Sequence, residues 1–504
     1  MERSRKALRN VTAGLADKAV LMLLSFTLRT VFIRLLGAEY AGVSGLYANL
    51  LSVLSLAELG VGNVLMFYLY GALSRGDPGE ISALVREFQR IYHRIIAAVL
   101  VLGLALVPFL PLLISSSLHQ RELTLYYILY VLNAAASYFA VYRTTVLSAD
   151  QKGYLSNITS TVMTAVKYAL QIACLLLFRS FLGYLLAELG ITLAGNLILD
   201  RITLRHYPFL RRRDAAAPDA GLRRDLVRNV KATFLFKVSD TLLEQTDSIL
   251  ISMLFGTVQV GYYSNYFLII RYLRNIAGIV GSGLTAGFGS LNAEGDRARS
   301  GQMFRCLMLL FSVMGTFCIA CFAAVIQDFI PIWIGAEYLM GADVIAAVLL
   351  VFYVRMAMSA AGIYRATLGL FREVQYVNLI AAGLNIALSV LMGLRLGVAG
   401  VAAATAVSRL VTSFWYEGRA VCRRLGLPVR SYFLRQLRDL LQTAAAVTAS
   451  LLCCSRLPLA GIPAIAGKLL VCTAVTAGLE LAFHARSEEF RIIRRLLAQA
   501  LRRR

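Results

Sequence analysis

A chain of 504 residues that is 59% hydrophobic and only 16% charged, with mean hydropathy +0.69, cannot be a water-soluble globule, which would carry about a quarter charged residues. Its net charge of +23 would indicate nucleic acid in a soluble protein. Here the basic residues concentrate in loops between apolar runs, so membrane topology explains them and no nucleic-acid partner is expected.

The basic start (Arg3, Arg5, Lys6, Arg9) runs into a full-length span, so the first helix should act as its own uncleaved signal. Runs long enough to cross a hydrocarbon core of roughly 30 Å occur at 11–36, 44–72, 92–115, 123–147, 156–178 and 181–199. After a basic loop they resume at 232–255, 262–290, 304–326, 341–366, 374–393 and 397–418, and two more follow at 438–455 and 462–484. The predicted fold is therefore an all-α integral membrane protein of about 14 transmembrane helices. Most Lys and Arg fall in loops on one face, including Arg211–Arg213, Arg223, Arg224 and Arg228, whereas the opposite loops are short and hold acids such as Glu39, Asp328, Glu337 and Asp343. That asymmetry predicts cytoplasmic N- and C-termini.

The longest polar insertion, 200–231, contains RRRDAAAPDAG with Pro218 and Gly221 and reads as a linker between halves. Its charge serves orientation, and it is also a candidate site for anionic phospholipid headgroups. The eight cysteines lie mostly in apolar segments, Cys318 and Cys321 as a helical pair, and read as small core residues rather than disulfides or metal ligands.

A shift of 219 residues superimposes the first quarter of the chain on the segment after the linker without gaps. Asn10-Val11 meets Asn229-Val230, Lys18 meets Lys237, and Gly37, Gly42 and Tyr47 meet Gly256, Gly261 and Tyr266. At a shift of 222, Tyr142-Arg143 meets Tyr364-Arg365. Six spans per unit is an even number, so the halves share one orientation, and a pseudo-twofold axis along the membrane normal follows. The expected domains are an N-lobe at 1–199, the linker at 200–231, a C-lobe at 232–418 and an appended helix pair with a basic tail at 419–504. This is the plan of a transporter that rocks two bundles around a central site.

The opening RNVTAGLADKAVLMLLSFTLRTVFIRLLGAEYAGVSGLYANLLSVLSLAELGVG at 9–62 and EQTDSILISMLFGTVQVGYYSNYFLIIRYL at 244–273 carry a resemblance to a known family. The chain resembles the multidrug/oligosaccharidyl-lipid/polysaccharide exporter superfamily, and within it the Wzx-type polysaccharide flippases. The resemblance implies a flippase that carries an undecaprenyl-diphosphate-linked oligosaccharide to the outer leaflet of a bacterial cell membrane, working beside glycosyltransferases and a polysaccharide polymerase. Lipid II flippases share the two-lobe, fourteen-helix plan. Cation-coupled multidrug exporters share the lobes but usually have twelve helices.

A diphosphate headgroup with sugars needs a solvated cationic cavity, because arginine grips phosphate bidentately and lysine acts as a point charge. The cavity candidates are Lys18, Arg29, Lys167, Lys237, Arg271, Arg274, Arg355 and Arg409, embedded in apolar helices. Arg34 lies near the outer end, where it can snorkel, and Arg143 and Arg365 read as interfacial. Lys237, Asp240, Glu244 and Asp247 fall at spacings of three, four and three on one face of their helix. An ionisable group at mid-bilayer costs about 2.5–3.5 kcal/mol, so this stripe faces a polar cavity or locks helices together as ion pairs. Glu58, Asp240, Glu244 and Asp247 are candidates to pair with the cations or to bind a coupling proton or Na⁺, with Glu244 first.

No phosphate-cradling GxxxxGKS loop or HExxH occurs, and the four histidines are scattered, so no catalytic residue, metal site or cofactor is expected. A membrane glycosyltransferase would need a catalytic carboxylate or metal site on an extended loop, and every outer loop is short. The many embedded arginines disfavour cationic drugs as cargo.

Overall fold

The structure is a computed structural model that describes residues 2–54, 61–150, 152–211, 241, 245–293, 297–368, 370–458 and 460–502. Among the described residues the secondary structure is helical throughout, as continuous apolar runs require when every backbone group must be satisfied within its own segment. Chain order gives α1 (Glu2–Leu54), α2 (Val61–Arg75), α3 (Pro78–Ala105), the short α4 (Leu110–Leu113), α5 (Gln120–Ser137), α6 (Val141–Ala149), α7 (Gly153–Phe178) and α8 (Phe181–His206). After α9 (245–255) come α10 (Thr257–Ala293), α11 (Arg297–Trp333), α12 (Ala342–Thr367) and α13 (Phe371–Val411). The chain closes with α14 (Ser413–Leu425), α15 (Val429–Cys454), α16 (Gly461–His484) and α17 (Glu488–Arg502).

Nine helices among the described residues are long and apolar enough to cross a membrane, or up to ten if the pair α5 and α6, bent by 41°, is one span. The chain is a multi-pass membrane protein. The larger number of runs in the sequence comes down to ten for three reasons. The run at 232–255 lies largely outside the described residues, two pairs of runs are merged into continuous elements interrupted at a glycine, and the run at 262–290, in α10, is not among the spans counted. α1 breaks at Gly37 (φ 85°) and α13 at Gly397 (φ 65°). The loop expected over Gly37–Gly42 thus shrinks to one residue, because glycine alone takes that conformation without a Cβ penalty and the helix resumes at once.

Two compact units divide the chain, Met1–Gly261 and Tyr262–Arg504. Part of the predicted linker, 212–231, lies outside the described residues. In the first unit, α7 packs on α8 and α1, while α5 packs on α8 and α3. A buried cluster including Leu65, Leu84, Phe88, Tyr92 and Val146 joins α2, α3 and α6. In the second unit, α12 packs on α13 and α11, and α11 also carries α15 and α16. Large apolar side chains such as Leu176, Leu177, Leu391, Leu452 and Leu470 remain exposed, which a surface bathed in lipid tails requires.

The internal repeat reappears as matched contacts within each unit. Tyr47 is fully buried and donates its hydroxyl to the Leu123 carbonyl (2.8 Å), near the start of α5. Its mate Tyr266 is equally buried and accepts from the Met340 amide (2.9 Å), just before α12. Arg143 pairs with Asp200 of α8 at 2.7 Å, and its mate Arg365 pairs with Glu417 of α14 at 2.6 Å. The interfacial arginines of the sequence are therefore helix-to-helix clamps.

At the α6–α7 turn, Asp150 accepts from Lys152 (2.8 Å) and from the Tyr207 hydroxyl (2.5 Å). The Lys152 and Tyr207 hydrogen bonds hold the Asp150 carboxyl below its ordinary 3.8, and the Asp150 carboxylate raises Lys152 above 10.5. A depressed acid stabilises the fold above its unfolded pKa and loses that contribution as pH falls through the folded value; the raised amine stabilises below 10.5 and fades as pH climbs past its folded value. Amide protection factors at 148–150 and 152–155 should therefore stay flat between these limits and fall below pH 3.8. Asp150→Asn should flatten the acid limb; an unchanged limb in that variant refutes the clamp.

Candidate functional site

In the first unit, four mutually packed helices bring charged and phenolic groups together inside apolar spans. Lys167 on α7 and Glu188 on α8 form an ion pair at 3.3 Å, with side chains 24% and 21% exposed. The Lys167 ammonium also lies 5.4 Å from the Tyr168 ring centroid. Tyr130 on α5 shares a hydrogen bond with Ser44 on α1 (2.6 Å). Arg29 on α1 and Glu188 both act electrostatically on Tyr130 and on Tyr184 of α8. α1, which carries Arg29, packs against α7 and α5. Lys167, picked out in the sequence, thus pairs with Glu188, and Arg29, picked out separately, acts with that carboxylate on the same two phenols. A charge pair that keeps a fifth of its surface open is not a sealed core bridge, since sealing would add desolvation cost on both ions.

In the second unit, Arg271 and Arg274 lie three residues apart on one face of α10, the first exposed and the second half-buried. Arg355 is half-buried on α12, and Arg409 on α13 is only 6% exposed. One turn from Arg409, Thr405 accepts from the Asn385 amide (2.9 Å), and Ser413 donates to Asn378 (2.7 Å). The two arms of α13 are thus tied by a buried polar seam beside an arginine. Asp247 on α9, in the first unit, is buried at 7% exposure. Lys18 lies on α1 with its side chain outside the description, and Lys237, Glu58, Asp240 and Glu244 lie outside the described residues. The four-residue stripe is therefore represented by Asp247 alone.

Sequence reasoning did not single out a second polar network in the appended pair. Gln442 of α15 donates to Glu480 (3.2 Å) and meets His484 (2.9 Å), both on α16, while Thr443 bonds Thr316 of α11 (2.7 Å). Asp439 and Gln442, with Glu480 and His484, show the three- and four-residue spacing that marks polar helix faces, and that signal was present. Their partners came from different helices, so only packing reveals the network. Among the described residues no group of three or more His, Cys, Asp or Glu is placed to hold a metal.

No protein-family model and no curated protein sequence matches the chain. The fold matches solved structures of lipid-flippase and multidrug-transporter type. Lipid II flippase MurJ in an inward closed conformation is 12% identical with a TM-score of 0.69, covering 93% of this chain and 98% of that one. An inward-facing multidrug resistance MATE family transporter of the MOP superfamily is 12% identical with a TM-score of 0.61, covering 81% and 95%. A mutant of the Vibrio cholerae MATE transporter VcmN is 16% identical with a TM-score of 0.54, covering 82% and 95%. The chain thus has the all-helical fold of these solved transporters.

Proposed function

We propose that this protein is a non-enzymatic flippase that moves a lipid-linked oligosaccharide bearing a diphosphate from the cytoplasmic to the outer leaflet of a bacterial cell membrane, by alternating access around a cationic cavity. The observation that carries the proposal is the Lys167–Glu188 ion pair inside membrane-spanning helices, with Arg29 and Glu188 acting together on Tyr130 and Tyr184. Glu188 holds Lys167 in place, and an incoming diphosphate competes for the ammonium with two negative charges and several acceptors. The phenols offer sugar-facing hydroxyls and stacking surfaces. Arg271, Arg274, Arg355, Arg409, Lys18 and Lys237 are assigned to the same cargo, and Glu58, Asp240, Glu244 and Asp247 to neutralisation or to a coupling proton or Na⁺. Undecaprenyl-diphosphate-linked repeat units are the assigned cargo, with glycosyltransferases upstream and a polysaccharide polymerase downstream.

Coverage of 93% by the MurJ-like fold, against 81% for the MATE transporter, supports a lipid-linked cargo over a soluble drug and makes lipid II the second reading. The test uses proteoliposomes loaded with fluorescent undecaprenyl-diphosphate oligosaccharide, lipid II or a cationic dye. Lys167→Met and Arg274→Ala should each slow lipid-linked transport about tenfold to a hundredfold, since a charge-assisted hydrogen bond is worth about 1.5–3 kcal/mol. Melting temperature monitors folding. Normal transport by both folded variants, or transport of the dye alone, would overturn the reading.

A further inference from the structure

At the end of the second unit where α11 and α15 begin and α16 ends, a cavity of about 420 Å³ opens, within the ~300–1,000 Å³ range of small-ligand sites. Arg305 from α11 and Arg435 and Arg438 from α15 line it, together with Ser431 and Ser487. Glu489, at the start of α17, is the one carboxylate among the lining residues. It takes Arg435 at 2.9 Å and lies 3.7 Å from Arg305. Burial works against its charge, yet its backbone hydrogen bond and the two guanidiniums hold its carboxyl below the usual range, so it remains ionised and fixes both arginines. Arg438, 59% exposed, meets Asp439 only at 3.5 Å. Counting Asp439 with Glu489, three guanidiniums face two carboxylates, a surplus of one positive charge.

Two features give the cavity a direction. Arg435 is only 13% exposed, and among the described residues its Nε has no hydrogen-bond partner. On the outer side, Leu434, Leu437 and Leu441 form an exposed apolar stripe along α15, and Phe483 is exposed on α16 beside the cavity. α15 and α16 are both long and apolar enough to span the membrane. An occupant that satisfies both features carries a single negative phosphate at the cavity and hydrocarbon along the stripe.

We propose that this cavity binds the phosphodiester headgroup of an anionic membrane lipid in the leaflet at that end of the helices, at a site separate from the cavity proposed for the transported cargo. Arg305 and Arg438 contact the phosphate, Ser431 donates to one of its remaining oxygens, and Leu434 and Phe483 carry the first carbons of the acyl chains. The bound lipid ties α11, α15 and α17 at their shared end.

The experiment measures lipid retention on the purified full-length protein by native mass spectrometry, using phosphatidylglycerol, phosphatidylcholine and inorganic phosphate as probes. Arg305→Gln and Arg438→Gln should each weaken phosphatidylglycerol retention about fivefold, and the double variant about 25-fold, at about 1 kcal/mol for each arginine near a lipid phosphate. Arg423→Gln, which removes an exposed charge on α14, should leave retention unchanged and so separates this site from general electrostatic attraction. Melting temperature establishes that each variant folds. Equal retention of phosphatidylcholine, equal weakening by Arg423→Gln, or no change in the double variant would overturn the site. Displacement of the lipid by inorganic phosphate in the same concentration range would overturn the lipid assignment.

Discussion

Gly42→Ala is expected to destabilise this protein severely, and Gly261→Ala to do the same, although each adds a single methyl group. A Cβ at Gly42 would overlap the Thr257 carbonyl, lying 2.7 Å from its carbon and 3.1 Å from the Gly261 nitrogen. A Cβ at Gly261 would overlap the Ala38 carbonyl, 3.0 Å from its carbon and 3.3 Å from the Gly42 nitrogen. What each methyl meets is main chain, which has no rotamer to yield. The helices are also pinned nearby. Thr257 donates its amide to Ser115 (3.0 Å), Ser252 donates to Leu113 (2.9 Å), and Glu39 accepts from Ser116 and the Ser117 amide (both 2.6 Å). The methyl must therefore push two backbones apart or break these clamps, at the top of the ~1–3 kcal/mol range of overpacked cores or beyond it. Gly37→Ala provides the contrast. Nothing lies within 4 Å of a Cβ there, so only backbone strain at φ 85° remains, about 1–3 kcal/mol. Thermal unfolding in detergent measures all three; a Gly42→Ala protein that melts like the wild type would refute the close approach.

Arg365→Met should cost about 3–5 kcal/mol, because it takes the guanidinium away from a buried carboxylate. The Glu417 side chain is 6% exposed and Arg365 17%, at 2.6 Å. Adding Glu417→Leu should recover most of the loss, because the destabilising element is the buried carboxylate charge and not the missing bond. The repeat mate supplies an internal comparison. Arg143 and Asp200 are 24% and 18% exposed, so Arg143→Met leaves a better hydrated carboxylate and should cost less. Double-mutant cycles on both pairs read the coupling directly. Equal losses at the two sites, or a double variant no better than Arg365→Met, would contradict the argument from burial.

The repeat shows how far a linear pattern reaches. Gly37 and Gly256, aligned by their spacing, share positive φ angles of 85° and 88°, and Tyr47 and Tyr266 are both fully buried. Backbone conformation and burial of this kind are local demands, written into residue type. The clamp acids were not legible in the same way. Asp200 and Glu417 occupy polar stretches at helix ends, where acids are ordinarily solvated, and nothing in their spacing to Arg143 or Arg365 announces a partner 57 or 52 residues away. Lys167 was visible as an embedded charge, but its pairing with Glu188 depends on how α7 lies against α8.

By itself, then, the sequence determined that the chain crosses a membrane many times and that it is internally doubled. Hydrophobic length, charge asymmetry and backbone sterics act within a few turns and need no partner. Only the tertiary structure decided which charges meet, that Gly42 and Gly261 touch, and that three arginines surround a cavity beside α17. Those outcomes depend on helix-to-helix packing, where an offset of one turn, about 5.4 Å, separates an ion pair from two isolated charges.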